Sequence, residues 1–285
     1  MADIKLFRID DTHAAEVSIE KPHLEKYVQD LFERHLEVLI GIRLLATQYD
    51  TGKKHRGRID SLGIDENGAP VIVEYKLHQN ENVMNQGLFY LDWLLDHKAE
   101  FDSLAKPRLA TDETVDWSSP RVLCIAEDFS RYDIFAVEQI AKSIELIRYR
   151  LYPGLVLLEL VNQPAAVTVK PHRDASDAQR PQLLNPISEA LEARIMALGD
   201  DIRLKQLKRY VAFQRIKNFA CVITQKKQIL VYLRIDPDAI ELHSDFSKDA
   251  RGVGHWGTGD VELKLGSLED VDRAMPLIQR SYEGL

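Results

Sequence analysis

One short segment, residues 58–76, fixes where two acidic side chains lie relative to each other. The run "APVIVEYKL" is apolar and β-branched, as strands covered on both faces are. Asn67-Gly68 comes just before it and is the strongest short signal for a hairpin turn. That turn folds the strand carrying Asp60 back against this run. We therefore expect Asp60 and Glu74 to meet across an antiparallel pair of strands.

A lysine accompanies this acidic pair. Side chains alternate along a strand, so Glu74 and Lys76 point one way while Val73 and Tyr75 point the other. Carboxylates and an ammonium are costly to bury without partners or a metal. Oxygen ligands suit a hard divalent ion, and a lysine beside it can stabilise charge during phosphodiester cleavage. An isolated Glu-x-Lys is usually a solvated edge pair, but the apolar neighbours disfavour that alternative.

The residues around this segment resemble the PD-(D/E)XK nuclease superfamily, in particular its NucS-type and RecB-type members. A helix with the sequence "HLEKYVQDLFERHLEVL" precedes the acidic strands, and Gln86-x-x-x-Tyr90 follows them on a second helix. Positions four apart share one helix face, so Gln86 and Tyr90 can reach one site. The chain departs from the family where Ile59, rather than proline, precedes Asp60. No DNA-binding barrel of the NucS type is readable before the nuclease-like part.

The resemblance implies an α/β fold with a restriction-endonuclease-like mixed sheet flanked by helices. It also implies a metal-dependent nuclease with Mg²⁺ or Mn²⁺ as its cofactor. Asp60 and Glu74 would hold the ion, with the Tyr75 carbonyl as a further ligand. Lys76 would position or activate the hydrolytic water.

Three further positions follow from the same resemblance. Glu25 matches the family's helix glutamate, and it would bind a second ion or orient a water at the first. Glu33 and Glu37 lie on the same helix and are alternatives to it. Gln86 and Tyr90 would brace the acidic strands and guide the nucleic-acid backbone, although an ordinary helix face also explains this pair.

A basic segment, "GKKHRGR", stands directly before Asp60. Its cations are placed to meet phosphates that enter the site, which predicts a nucleic-acid contact there. A solvated turn accounts for the same residues equally well. The four predicted nucleic-acid-binding residues are Lys53, Lys54, Arg56 and Arg58.

Basic and aromatic residues also alternate in "RLKQLKRYVAFQRIKNF", residues 203–219. Cations beside aromatic rings suit contacts with a nucleic-acid strand. An amphipathic strand with its aromatic rings in the core explains the pattern as simply, and we favour it. His255 and Trp256 follow in a glycine-rich loop. They could contact a base or a ligand, but a loop anchored by a packed tryptophan is the preferred interpretation.

We expect two domains. Residues 1–161 form the nuclease-like domain, residues 162–185 a proline- and alanine-rich linker, and residues 186–285 a small α+β accessory domain. Through "KNFACV" and "GVGHWGTGDVELK", the last of these resembles a bacterial domain of unknown function that is sometimes labelled a predicted transport protein. The transport label gains no support, because no apolar stretch approaches a membrane span.

Apolar spacing also predicts which residues the helices bury. In the first helix, the expected set is Leu24, Val28, Leu31, His35 and Leu39. A third helix should begin after Ser130, whose partner Asp133 completes an S-x-x-D cap. It should bury Ile134, Val137, Ile140, Ile144 and Ile147.

Composition sets the remaining expectations. No apolar signal region is readable in "MADIKLFRIDD", so we expect a cytoplasmic protein without membrane contact. Cys124 and Cys221 lie in apolar runs, which predicts buried free thiols and not a zinc site. We expect the partner to be nucleic acid, with DNA favoured over RNA. Whether the protein forms a homodimer is left open. The net charge of −8 argues weakly against loose nucleic-acid binding. The alternative function is a nucleic-acid-binding or partner-recruiting protein that does not cleave.

Overall fold

The computed structural model describes residues 4–77, 83–109, 113–140, 143–162 and 185–284. The chain divides into two compact units, residues 1–165 and 166–285. The predicted linker lies almost wholly outside the described residues, so its boundaries stay predictions.

The first unit begins with a small exposed hairpin and continues as strands and helices around one sheet. Its strands are β1 (Phe7–Ile9), β2 (Ala14–Glu16), β3 (Ile42–Asp50), β4 (Arg58–Asp65), β5 (Pro70–Lys76), β6 (Arg121–Ala126), β7 (Ser143–Tyr152) and β8 (Leu155–Leu160). Its helices are α1 (Glu25–Ile40), α2 (Gly52–His55), α3 (Val83–Asp96), α4 (Lys98–Ala105) and α5 (Arg131–Glu138).

Six of these strands form a mixed sheet in the order β3-β4-β5-β6-β7-β8. β3, β4 and β5 are antiparallel neighbours, β5, β6 and β7 are parallel, and β8 returns antiparallel at the edge. Helix α1 packs on one face, where Phe32 meets the Tyr75 ring with centroids 5.9 Å apart. Helix α3 covers the opposite face, where its residues share a core with Ile72. The predicted α/β class, a mixed sheet flanked by helices, is confirmed.

The predicted hairpin is present between β4 and β5. Gly68 adopts a φ of 81°, a left-handed conformation that glycine reaches without steric cost. The Asp65 carboxylate accepts the backbone N–H groups of Asn67 and Ala69, at 2.9 and 2.8 Å, and so closes the turn. Ser61 pairs with Val73. The next positions outward in this register are those of the two acids.

Helix α1 has the expected position but buries a different face. The expected Leu24 lies before the helix and is exposed, and His35 is exposed as well. Two apolar series overlap in this sequence, and packing against the aromatic rings under the sheet selects the series that contains Phe32. The buried residues are Val28, Gln29, Phe32, Leu36 and Ile40.

Helix α5 is shorter than predicted. The cap between Ser130 and Asp133 is present in both directions, as expected. The helix nevertheless ends at Glu138, and the last two predicted core positions, Ile144 and Ile147, belong to β7. There they pair in parallel with β6, because isoleucines three apart fit a buried strand as well as a helix.

In its described residues, the second unit contains a six-stranded antiparallel sheet and two α-helices. Its elements are α6 (Asn185–Met196), β9 (Arg203–Gln206), β10 (Val211–Gln214), β11 (Asn218–Thr224), β12 (Ile229–Leu233), β13 (Ser247–Asp249), β14 (Val261–Leu265) and α7 (Leu268–Glu283). The strand order is β13-β14-β12-β11-β10-β9. Both helices share one core with the sheet, and this core includes Phe213 and Phe219. The favoured interpretation of these two aromatic residues is therefore confirmed.

Close packing of α3 on β6 depends on Gly87. A Cβ atom at this position would lie 2.5 Å from Val122 Cγ1. We expect Gly87→Ala to lower the free energy of unfolding by about 1–2 kcal/mol, because overpacking outweighs the gain in helix propensity. Urea titration of Gly87→Ala, Val122→Ala and the double variant measures this. The double variant should lose less than the two single losses added together. Fully additive losses would contradict the contact.

Candidate metal and phosphodiester site

Asp60 and Glu74 are held together by crossed contacts between β4 and β5. The Asp60 N–H donates to Glu74 Oε1 at 3.3 Å, and the Tyr75 N–H donates to Asp60 Oδ2 at 3.1 Å. Each carboxylate thus accepts a backbone amide from the opposite strand. The two acids that the sequence predicts to meet are therefore adjacent.

Glu74 is fully buried. Its second oxygen, Oε2, has no hydrogen-bond donor among the described residues. Burial and the neighbouring Asp60 carboxylate raise the pKa of Glu74 to about 9. A buried carboxylate oxygen without a donor, beside a second carboxylate, is a donor set that fits a hard divalent cation.

Lys76 ends β5 close to this pair and contacts helix α1. Its Nζ lies 3.1 Å from Glu25 Oε1. The lysine side chain is 13% exposed and the glutamate 43%, so the pair stands at the rim of the site. Glu25 is thus engaged with the predicted catalytic lysine, and its predicted role at a metal stays a prediction.

Two glutamines at Asp60 did not emerge from the sequence. Gln48 Nε2 donates to Asp60 Oδ1 and to Gln29 Oε1, both at 2.9 Å. Gln29 Nε2 in turn donates to the Asp60 carbonyl oxygen at 2.8 Å. Gln48 has a φ of 48°, an uncommon conformation for a residue with a side chain. Local strain is thus maintained where a side chain orients an acid of the site.

Glu33 joins the same network from α1. Its Oε1 accepts the Ser61 hydroxyl at 2.6 Å and the Thr47 hydroxyl at 2.7 Å. Glu25, Gln29 and Glu33 are four residues apart, so one polar stripe of α1 faces the acidic strands. That spacing is visible in the sequence and could have identified all three.

Tyr90 supports the start of β4. Its hydroxyl accepts the Arg58 N–H at 3.1 Å and is 3.5 Å from Gln86 Nε2. A Cβ on Gly57 would lie 2.5 Å from the Tyr90 ring, so the glycine allows a close approach. Tyr90 therefore fixes the strand that carries Asp60. For Gln86, the described contact is with Tyr90 and not with the acids.

The predicted basic segment forms a small loop around α2. The Thr51 N–H and hydroxyl both donate to the Gly57 carbonyl oxygen at 3.0 Å, which closes the loop. An open pocket of about 540 Å³ lies here. It is lined by Asp50, Gly52, Lys53, Arg56, Gly57 and Arg58. Three predicted phosphate-contacting residues thus share one pocket, while the Lys54 side chain lies outside the described part.

The described residues contain no larger cluster of metal-binding side chains than this acidic pair. Within the described ranges, no three histidine, cysteine, aspartate or glutamate side chains converge on one point. An ion at Asp60 and Glu74 would therefore need backbone or water oxygens as well. Cys124 and Cys221 are buried and form no disulfide, as predicted. In the portion of the chain that the structure describes, no helix combines the length and apolarity of a membrane span.

The family comparison matches the second unit. Residues 175–284 match the model described as a domain of unknown function, DUF5655, in agreement with the predicted resemblance. An uncharacterized protein of Haemophilus influenzae is 26% identical over 305 residues. This similarity covers 98% of this chain and 100% of the relative, so it extends over both units.

Two solved structures are similar to part of the chain. A repair endonuclease from Pyrococcus abyssi has 17% identity and a TM-score of 0.25, over 46% of this chain and 50% of that one. The EndoMS-dsDNA2 complex has 16% identity and a TM-score of 0.26, over 50% of this chain and 49% of that one. This chain thus matches about half the length of each protein.

The raised pKa of Glu74 makes stability depend on pH. The unfolded carboxyl has its ordinary pKa near 4.5, and the folded one about 9. The folded state therefore binds the proton more tightly, and this stabilisation is complete below pH 4.5 and is lost as pH rises through 9. In EDTA, we expect wild type to lose stability relative to Glu74→Gln by at most about 1.4 kcal/mol per pH unit in that window. Urea titrations at several pH values measure the difference, and parallel curves would contradict it.

Proposed function

We propose that the first unit is a metal-dependent nuclease that hydrolyses phosphodiester bonds in nucleic acid, with DNA as the preferred substrate. The observation that carries this proposal is the buried Glu74, whose Oε2 lacks a donor among the described residues beside the Asp60 carboxylate. Lys76 ends the same strand, so two acids and a cation occupy one end of a hairpin.

Asp60 and Glu74 would hold Mg²⁺ or Mn²⁺, with the Tyr75 carbonyl as a further ligand. The ion would supply positive charge against the phosphodiester oxygens. Both acids must be ionised for this, and burial alone opposes it. The backbone amides of Asp60 and Tyr75 already stabilise the two carboxylates in the orientation described above.

Lys76 would stabilise the negative charge that develops at the phosphate during attack by water. Its ion pair with Glu25 holds the ammonium at the rim of the site. Glu25 would bind a second ion or orient a water at the first one, in place of its contact with Lys76. The basic loop, through Lys53, Arg56 and Arg58, would contact the phosphates that flank the cut bond.

The second candidate is a nucleic-acid-binding protein that does not cleave. The ion pair favours it, because Lys76 has a carboxylate partner, as it would in a site retained for structure alone. Incubation of the full-length protein with single- and double-stranded DNA and RNA, with Mg²⁺, Mn²⁺ or EDTA, separates the two candidates. Binding without metal-dependent cleavage of any of these substrates would favour the second.

Metal binding should require Asp60. Asp60→Asn keeps the shape of the side chain and removes its charge, so we expect Mn²⁺ affinity to fall at least about tenfold. Calorimetric titration of Mn²⁺ measures the affinity. Glu138→Gln is a matched control, since it removes one charge from an exposed position of α5, a helix with no residue assigned to the site. Equal affinity in wild type and Asp60→Asn would refute the assignment of the ion to this pair.

Lys76 should affect turnover more than substrate binding. A group that stabilises only the transition state lowers kcat and leaves KM nearly unchanged when it is removed. We therefore expect Lys76→Met to lower kcat about a hundredfold or more. Single-turnover cleavage and equilibrium binding measure the two effects separately. Normal cleavage would show that the lysine is only a counter-ion for Glu25.

A further inference from the structure

Positive charge is concentrated in one part of the second unit. Residues 202–235, which contain β9 to β12, include nine lysine and arginine residues and no aspartate or glutamate. In the described residues of this unit, the acidic side chains all lie before or after this stretch. Asp201 pairs with Arg215, and Glu262 accepts the Tyr232 hydroxyl, so acids from outside the stretch offset part of this charge. The exposed cations that remain attract partners of the opposite sign, which suits a polyanion.

Four of these cations lie at one end of the sheet. Consecutive strands from β9 to β12 are antiparallel neighbours, so the β9–β10 turn and the β11–β12 turn lie at the same end. Lys208 and Arg209 are exposed in the first turn, and Lys226 and Lys227 in the second. These four side chains extend across several strands, as contacts with a chain of phosphates require.

The face of this sheet opposite α6 and α7 carries a separate small apolar cluster. The strand register aligns Ala212, Cys221 and Tyr232 across β10, β11 and β12. A loop, residues 250–259, crosses this face. Gly257 allows the crossing, since a Cβ there would lie 2.6 Å from Cys221 Cβ. The covering layer on this side is therefore a loop.

This loop presents two aromatic rings beside the cationic end. His255 is stacked on Tyr232, with ring centroids 4.0 Å apart and planes at 8°. Trp256 is 48% exposed, so the preferred interpretation of this residue as a packed anchor of the loop is wrong. The Arg209 guanidinium lies 4.3 Å from its ring centroid. The exposed tryptophan ring is hydrated, which is unfavourable for an apolar surface. A ligand that stacks on the ring would remove this surface from water and lie beside the cations.

We propose that this face of the second unit binds single-stranded nucleic acid, with Trp256 and His255 stacking on bases and Arg209 contacting phosphate. A single strand offers both unstacked bases and closely spaced phosphates, whereas a duplex hides the base faces. An acidic polypeptide would satisfy the cations but not the exposed ring. The inference deepens the proposed function, since it names the substrate form that the full chain would hold.

The test measures the anisotropy of a labelled oligo-dT with full-length protein in EDTA, so that no cleavage occurs. We expect Trp256→Ala and Arg209→Gln each to weaken binding about five- to a hundredfold. Arg273→Gln is the matched control, because Arg273 also lies 4.3 Å from a ring centroid, that of Phe246. It should bind as wild type does. Thermal unfolding of each variant checks that the fold is intact.

Several results would overturn the inference. These are equal binding by wild type and Trp256→Ala, preference for duplex over single strand, and displacement of the oligonucleotide by poly-glutamate as readily as by unlabelled oligo-dT. Metal-dependent cleavage is measured separately on the same proteins. If wild type cleaves while the Trp256 and Arg209 variants bind normally, only this inference fails. If wild type binds oligo-dT through Trp256 but cleaves nothing, only the proposed nuclease activity fails.

Discussion

The burial of a carboxylate inside the sheet is the constraint on which the first unit's site depends. Glu74 is covered completely, and its charge is opposed both by burial and by Asp60. Nearby polar groups offset part of this free-energy cost. The Asp60 N–H donates to Glu74 Oε1, and the side-chain amides of Gln29 and Gln48 donate to Asp60. Glu74 Oε2 has no donor among the described residues, so the burial of its charge is not compensated there. A cation beside this oxygen would compensate it.

The polar stripe of α1 has two tasks at once. Gln29 is 3% exposed and replaces an apolar residue in the buried series of the helix. Its amide connects the helix to β3 and β4, so the helix cannot shift without breaking contacts at Asp60. Packing and chemistry are therefore coupled through one side chain.

Turns, strand alternation and helix caps were predicted correctly, because residues close together in the sequence determine them. The Asn67-Gly68 turn and strand alternation were sufficient to bring Asp60 and Glu74 together, and the cap at Ser130 was correct. The face of α1 was not, because two apolar series overlap and only the aromatic rings of the sheet choose between them. The end of α5 was missed since a spacing of three also fits a strand. The left-handed Gln48 depends on contacts with α1 and β4, which sequence periodicity does not encode.

The crossed hydrogen bonds between β4 and β5 can form in only one register of the two strands. Gln48 occupies the place opposite Asp60, between the Thr47–Ser61 and Tyr49–Ile59 pairs. A slip of one residue between β4 and β5 would turn one acid to the far side of the sheet. The two carboxylates would then be separated by the backbone itself. The acidic pair therefore forms only when β4 and β5 pair in the correct register. A hairpin in the wrong register would lack the pair of carboxylates that the site requires.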